Sequence, residues 1–134
     1  MVNKFILGDC MEYLLEYSDN YFDLVIVDPP YGIDIKMQKF TKPSRPNSYK
    51  TEPKHRGFND TQRPNPEYFN ELMRVSRNQI IWGSQYFCDL LPISGSWIFW
   101  NKMNGDGSHF ADGELAWTSY TKALKMHSVS PFHN

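Results

Sequence analysis

Apolar residues in the first part of the chain fall in short blocks. Phe5-Ile6-Leu7 is a brief run that ends at Gly8-Asp9, and it predicts a buried strand. Asp9 and Glu12 have the spacing of a capping box, and Met11, Leu14 and Leu15 follow the helical period. Together they predict a helix over 10–17. Ser18-Asp19-Asn20 reads as a turn. Leu24-Val25-Ile26-Val27 is apolar and largely β-branched, without alternation, the pattern of a strand covered on both faces.

Periodicity then stops. Pro43, Pro46, Pro53 and Pro64 exclude a continuous helix or a central strand between Gly32 and Pro64. A stretch of that length inside a compact domain is either functional or disordered. Order resumes at Asn65-Pro66, an N-cap followed by Pro at the first helical position, with Phe69, Leu72 and Met73 as the buried stripe. Gln79-Ile80-Ile81-Trp82 predicts the next strand, closed by Gly83. Ser84 is expected to cap a short helix containing Phe87, Leu90 and Leu91, which ends before Pro92. Trp97-Ile98-Phe99-Trp100 predicts a strand, Gly105-Asp106-Gly107 a turn, and Glu114 to Tyr120 a strand with one wetter face. The tail from Lys122 carries no clear pattern.

This order implies an α/β domain with a mainly parallel sheet and flanking helices. In such sheets ligands bind beyond the carboxyl ends of the strands. Asp9, Asp28 and Trp82-Gly83 all stand at predicted strand ends, so they are expected to lie near one another.

Composition narrows the class. A chain of 134 residues fits one domain, and a 40% hydrophobic and 16% aromatic content excludes general disorder. No apolar run approaches the ~20 residues that span a bilayer, and the first residues lack the features of a signal peptide. The expectation is a soluble cytoplasmic protein with no membrane association. Cys10 and Cys88 sit in apolar segments without metal-ligand spacing and are expected to be buried free thiols. His55, His109, His127 and His133 form no metal-binding pattern, so no metal is expected.

Charge is uneven. Residues 35–64 carry eight Lys/Arg, among them Lys36 and Lys39, against two acids, a local net of +6 that leaves −7 on the rest. A basic segment on an acidic domain suggests a face that meets a polyanion; a solvated loop is the plainer reading.

The sharpest chemical signal is Asp28-Pro29-Pro30-Tyr31, directly after the apolar strand. Two prolines cannot continue a strand, so the chain leaves the sheet in a stiff turn. That turn holds a carboxylate, a backbone carbonyl and an aromatic ring in fixed relation. Such groups suit an aromatic amine, whose lone pair is delocalised into its ring. Hydrogen bonds from the amine to a carboxylate and a carbonyl favour pyramidal nitrogen and stabilise the positive charge that grows during methyl transfer. An aromatic ring can stack on a base rotated out of the duplex, at ~1–3 kcal/mol per base. The alternative is a structural Pro-Pro turn, with Asp28 capping and Tyr31 in the core.

Residues 5–33 resemble the amino-methyltransferases that modify adenine N6 or cytosine N4 in DNA. The similarity continues through Asn78–Gly83, Ser96–Lys102 and Gly113–Thr118. The resemblance implies a partial Rossmann-like methyltransferase sheet, S-adenosyl-L-methionine as methyl donor, and double-stranded DNA as partner, with site-specific methylation of the restriction–modification kind. Asp at the first position of the tetrapeptide favours adenine over cytosine. By the same resemblance, Asp28 and the Pro29 carbonyl act on the target amino group and Tyr31 stacks on the base, beside Pro30. Asp9 contacts the adenine of the cofactor, with Cys10 next to it. Trp117 matches an aromatic position lining the target-base pocket, or is a packed sheet residue. Lys36 and Lys39, in the basic segment 34–64, are expected to contact the DNA backbone and cover the flipped base, in a loop that orders only on binding.

The family also needs a Gly-rich turn after a strand to approach the cofactor's methionine portion. No such turn follows the expected pattern here, and neither does a target-recognition region. The chain therefore looks like the catalytic part of such an enzyme, expected to bind the cofactor weakly alone. Its exposed sheet edge would be open to self-association or to a complementing chain. Two alternatives remain: an inactive DNA-binding remnant, and a cytosine-N4 enzyme.

Overall fold

The β-branched residues Val25, Ile26 and Val27 form strand β1 (Val25–Val27), which pairs in parallel with β2 (Gln79–Trp82) in the register Val25↔Gln79, Ile26↔Ile80, Val27↔Ile81. The computed structural model describes residues 3–33, 61–104 and 111–130. Three further strands complete one sheet: β3 (Trp97–Asn101), β4 (Gly113–Thr118) and β5 (Lys125–Ser128), in the order β1-β2-β4-β3-β5. β4 lies between β2 and β3 and is antiparallel to both, while β5 is parallel to β3. Of the described strands, four therefore run one way and β4 alone runs the other. The carboxyl ends of β1, β2, β3 and β5 and the start of β4 meet at one end of the sheet.

Two helices precede or cross between strands. In α1 (Cys10–Leu14) the Asp9 side chain caps the first turn by accepting from Met11 N at 2.9 Å. In α2 (Pro66–Val75) Asn65 Oδ1 accepts from Tyr68 N at 3.0 Å, and Pro66 at N1 gives up no needed donor. Tyr68, Phe69, Leu72 and Val75 form the buried face of α2, and the first three join Ile81, Phe87 and Trp117 in the core. Each fully buried side chain of this size contributes about 1.5–3 kcal/mol of transfer free energy. Arg74 ties the two helices together: its guanidinium donates to the carbonyls of Leu14 and Tyr17 at 3.2 and 2.9 Å and pairs with Glu71 and Asp19.

The α/β class, the direction of most strands and the positions of β1 to β4 agree with the sequence reading; several expectations do not. Phe5-Ile6-Leu7 forms no strand, and Phe5 and Leu7 are 92% and 91% exposed. The run stays unpaired although β1, with β2 as its one neighbour among the described residues, leaves an edge open. β1 is not covered on both faces. Val25 and Val27 pack against the core, whereas Ile26 points to the opposite face, where no described helix lies, and is 59% exposed. The segment from Lys122, without pattern in the sequence, contains β5, whose four residues are exposed. An edge strand wet on both faces needs no apolar alternation. Nor does the C-terminal half of β4 have a wet face: Ala116, Trp117 and Thr118 are all buried, because β4 is a central strand.

Cys10 and Cys88, expected to be buried, are exposed free cysteines. α1 buries none of its residues, and Cys88 follows a surface turn. The basic segment through residue 60 and the Gly105–Gly107 turn lie outside the described residues. Among the described residues no helix is long and apolar enough to cross a membrane.

Candidate functional site

Asp28 stands at the carboxyl end of β1, where Pro29-Pro30 ends the ladder, and its side chain is exposed while Pro29 is buried. Tyr31 turns back onto it: the phenol hydroxyl donates to Asp28 Oδ1 at 2.6 Å. The Tyr31 ring stacks on Tyr86, with centroids 5.0 Å apart and planes at 20°, and meets Phe87 edge-on at 6.2 Å. Tyr86 belongs to the 3-10 turn Ser84–Tyr86, which Gly83 opens in the left-handed region at φ 68°. Desolvation, the bond to Asp28 and the surrounding negative charge push the Tyr31 pKa far above the usual phenol range. The hydroxyl therefore remains a donor throughout the neutral range.

Asp28 opens onto a cavity of about 610 Å³, whose walls include Asp9, Cys10, Pro29, Pro30 and Tyr68. Asp9 and Asp28, 19 positions apart in sequence, thus share one space, as expected. Asp9 reaches it without a strand, because packing of α1 on α2 sets its position. One Asp9 oxygen caps α1, so a structural role and a ligand role are compatible. Although Cys10 is exposed as a residue, partial desolvation of its thiol, with the Asp9 charge, raises its pKa.

Trp117 lies elsewhere. It is 3% exposed, its indole Nε1 donates to the Pro92 carbonyl at 2.9 Å, and it packs in the core. It lines a second cavity of about 560 Å³, which includes Ser96 and Tyr120, and is not part of the wall beside Asp28. Lys36 and Lys39 lie outside the described residues.

Several residues at this end of the sheet make contacts that the sequence does not show, Arg63 of the basic segment among them. Arg63 lines the Asp28 cavity and grips the turn that carries Tyr86. Its guanidinium donates to the Tyr86 carbonyl at 3.1 Å and to both Asp89 oxygens at 2.8 and 2.6 Å, which holds the Asp89 pKa down. Lys102, just past β3, pairs with Glu114 and lies 5.2 Å from the Trp100 ring centroid. Ser84, expected to cap a helix, is instead fully buried inside the turn, and its Oγ accepts from Trp117 N at 2.7 Å while donating to the Ile81 carbonyl. The contacts of Arg63 with Tyr86 and Asp89, of Lys102 with Glu114 and of Ser84 with Trp117 join residues far apart in sequence, and no local pattern marks them.

Among the described residues no group of three or more His, Cys, Asp or Glu side chains could hold a metal ion. The arrangement offers an exposed carboxylate, oriented by a phenol, at the rim of a cavity within the size range of small-ligand sites, about 300–1,000 Å³. Comparison of the chain with protein-family models, with curated proteins and with solved structures finds no match in any of the three.

Proposed function

We propose that this chain is the catalytic part of a DNA adenine-N6 methyltransferase that acts on double-stranded DNA in the cytoplasm with S-adenosylmethionine as methyl donor. The observation that carries the reading is the exposed Asp28 carboxylate, fixed by Tyr31 at the end of a parallel strand and open to a ligand-sized cavity. Asp28 caps none of the described helices and its side chain stays exposed, although Tyr31 packs partly against the core.

In this reading Asp28 and the Pro29 carbonyl accept the two N–H groups of the adenine amino nitrogen. Their negative potential stabilises the positive charge that grows on nitrogen. The Tyr31–Tyr86 pair supplies the aromatic surface for a base extruded from the duplex. S-adenosylmethionine, when bound, supplies an electrophilic methyl group. The cavity suits its nucleoside portion, with the Asp9 carboxylate and Cys10 on the wall. No glycine pair among the described residues has the spacing of a turn that would cradle its methionine portion, so this part of the site does not fit.

The test is Asp28→Ala in a preparation that methylates duplex oligonucleotides. Loss of transfer with an unchanged circular dichroism spectrum supports the reading. Near-normal turnover overturns it, and methylation of duplexes lacking adenine shifts it to cytosine N4.

A further inference from the structure

Tyr68, in the first turn of α2, is 8% exposed, and its hydroxyl has no hydrogen-bond partner among the described residues. No described side-chain nitrogen or oxygen that is sealed from open space lacks a partner. The Tyr68 hydroxyl therefore opens onto space, and the space Tyr68 lines is the cavity shared with Asp9 and Asp28. A phenol that is nine-tenths buried but open at its hydroxyl can donate to an occupant of the cavity with little further desolvation. Burial and the neighbouring Cys10 and Asp28 push its pKa far up, so it stays a neutral donor.

The walls state what that occupant looks like. Met11, Val27 and Pro64 add apolar surface to Pro29 and Pro30. The carboxylates accept N–H groups, the one cation on the wall, Arg63, is already paired with Asp89, and a phenol donates to a ring nitrogen. A flat apolar ring with donors and acceptors on its edge satisfies all of these; a simple amine or an inorganic anion does not. We propose that Tyr68 is a ligand-contacting residue of this cavity, donating its hydroxyl to a ring nitrogen of a purine nucleoside seated between Asp9 and Asp28. The choice of nucleoside rests on the methyltransferase reading; the contact itself rests on the cavity.

Adenosine, titrated into the 134-residue chain and followed by NMR, tests this. Tyr68 ring resonances should shift on addition, and Tyr68→Phe, which removes one oxygen, should weaken binding by about 3- to 10-fold, the loss of one hydrogen bond. Tyr120→Phe, outside the cavity wall, should leave affinity unchanged. Equal affinity in a folded Tyr68→Phe chain overturns the inference, as does a native chain whose Tyr68 resonances do not move. Tyr68-dependent adenosine binding alongside Asp28-independent methylation would leave this inference standing while removing the proposed function.

Discussion

The Tyr31 ring crosses the backbone of Gly83 so closely that a methyl group at position 83 would overlap it. Gly83 also has φ 68°, a region that side chains with a Cβ adopt at a cost. One glycine thus satisfies two demands: it turns the chain out of β2 and leaves room for the ring that orients Asp28.

Gly83→Ala is therefore expected to destabilise the chain by about 2–4 kcal/mol, combining backbone strain with overlap. Urea unfolding measures the loss. Tyr31→Ala on the Gly83→Ala background should recover part of it, because the overlap disappears while the strain stays. Strict additivity of the two changes would show that they do not interact.

Ser84 bridges β2 and β4, taking the Trp117 N–H and donating to the Ile81 carbonyl. Ser84→Ala removes this buried bridge from the core, at a cost of about 1–3 kcal/mol, although alanine fits the space. The urea midpoint should fall with an unchanged slope. A shift within error would mean that the N–H finds another acceptor.

Much of this arrangement was legible because it is local. Val25–Val27, Gln79–Trp82 and Trp97–Asn101 are apolar runs bounded by Pro, Gly or polar residues, and Asn65-Pro66 marks the start of α2. Asp28 could be placed because two prolines end its strand. The errors share a cause. Phe5–Leu7 and Ile26 have the composition of buried segments, but burial depends on a neighbour, and no periodicity states whether a neighbour is present. β5 was invisible for the converse reason: it exists by pairing with β3, not by its own pattern. Tyr86, Arg63 and Tyr68 join the site through contacts across the fold, which spacing along the chain does not encode.

The exposed thiols give a direct check. Both Cys10 and Cys88 should react with a disulfide reagent in the folded chain, without denaturant. Cys10, whose pKa is raised by desolvation and by Asp9, holds less thiolate at neutral pH. Its rate should still be climbing above the usual thiol range, and Asp9→Asn should increase it at neutral pH. A Cys10 rate that levels off below pH ~8.5, the usual thiol value, would contradict the local field.

On the methyltransferase reading, affinity for S-adenosylmethionine should still be low. The described residues offer a nucleoside-sized cavity but no glycine-rich cradle, so calorimetry of the isolated chain with S-adenosylmethionine should show weak binding or none. Micromolar affinity would mean that another part of the chain holds the methionine portion.

The outer edge of β1 makes the last prediction. β1 is bonded to β2 on one side alone among the described strands, and Ile26, 59% exposed, stands on its uncovered face with Leu24, 40% exposed, just before it. An open edge beside apolar side chains is a template for another strand. The chain should self-associate with rising concentration in sedimentation velocity, and Ile26→Lys should shift it toward monomer by placing a charge where the second strand would pack. The same substitution should change the urea midpoint little, because a side chain this exposed contributes little to the core. Association that Ile26→Lys leaves untouched would place the contact elsewhere; a large drop in the midpoint would mean that Ile26 is covered within the chain itself.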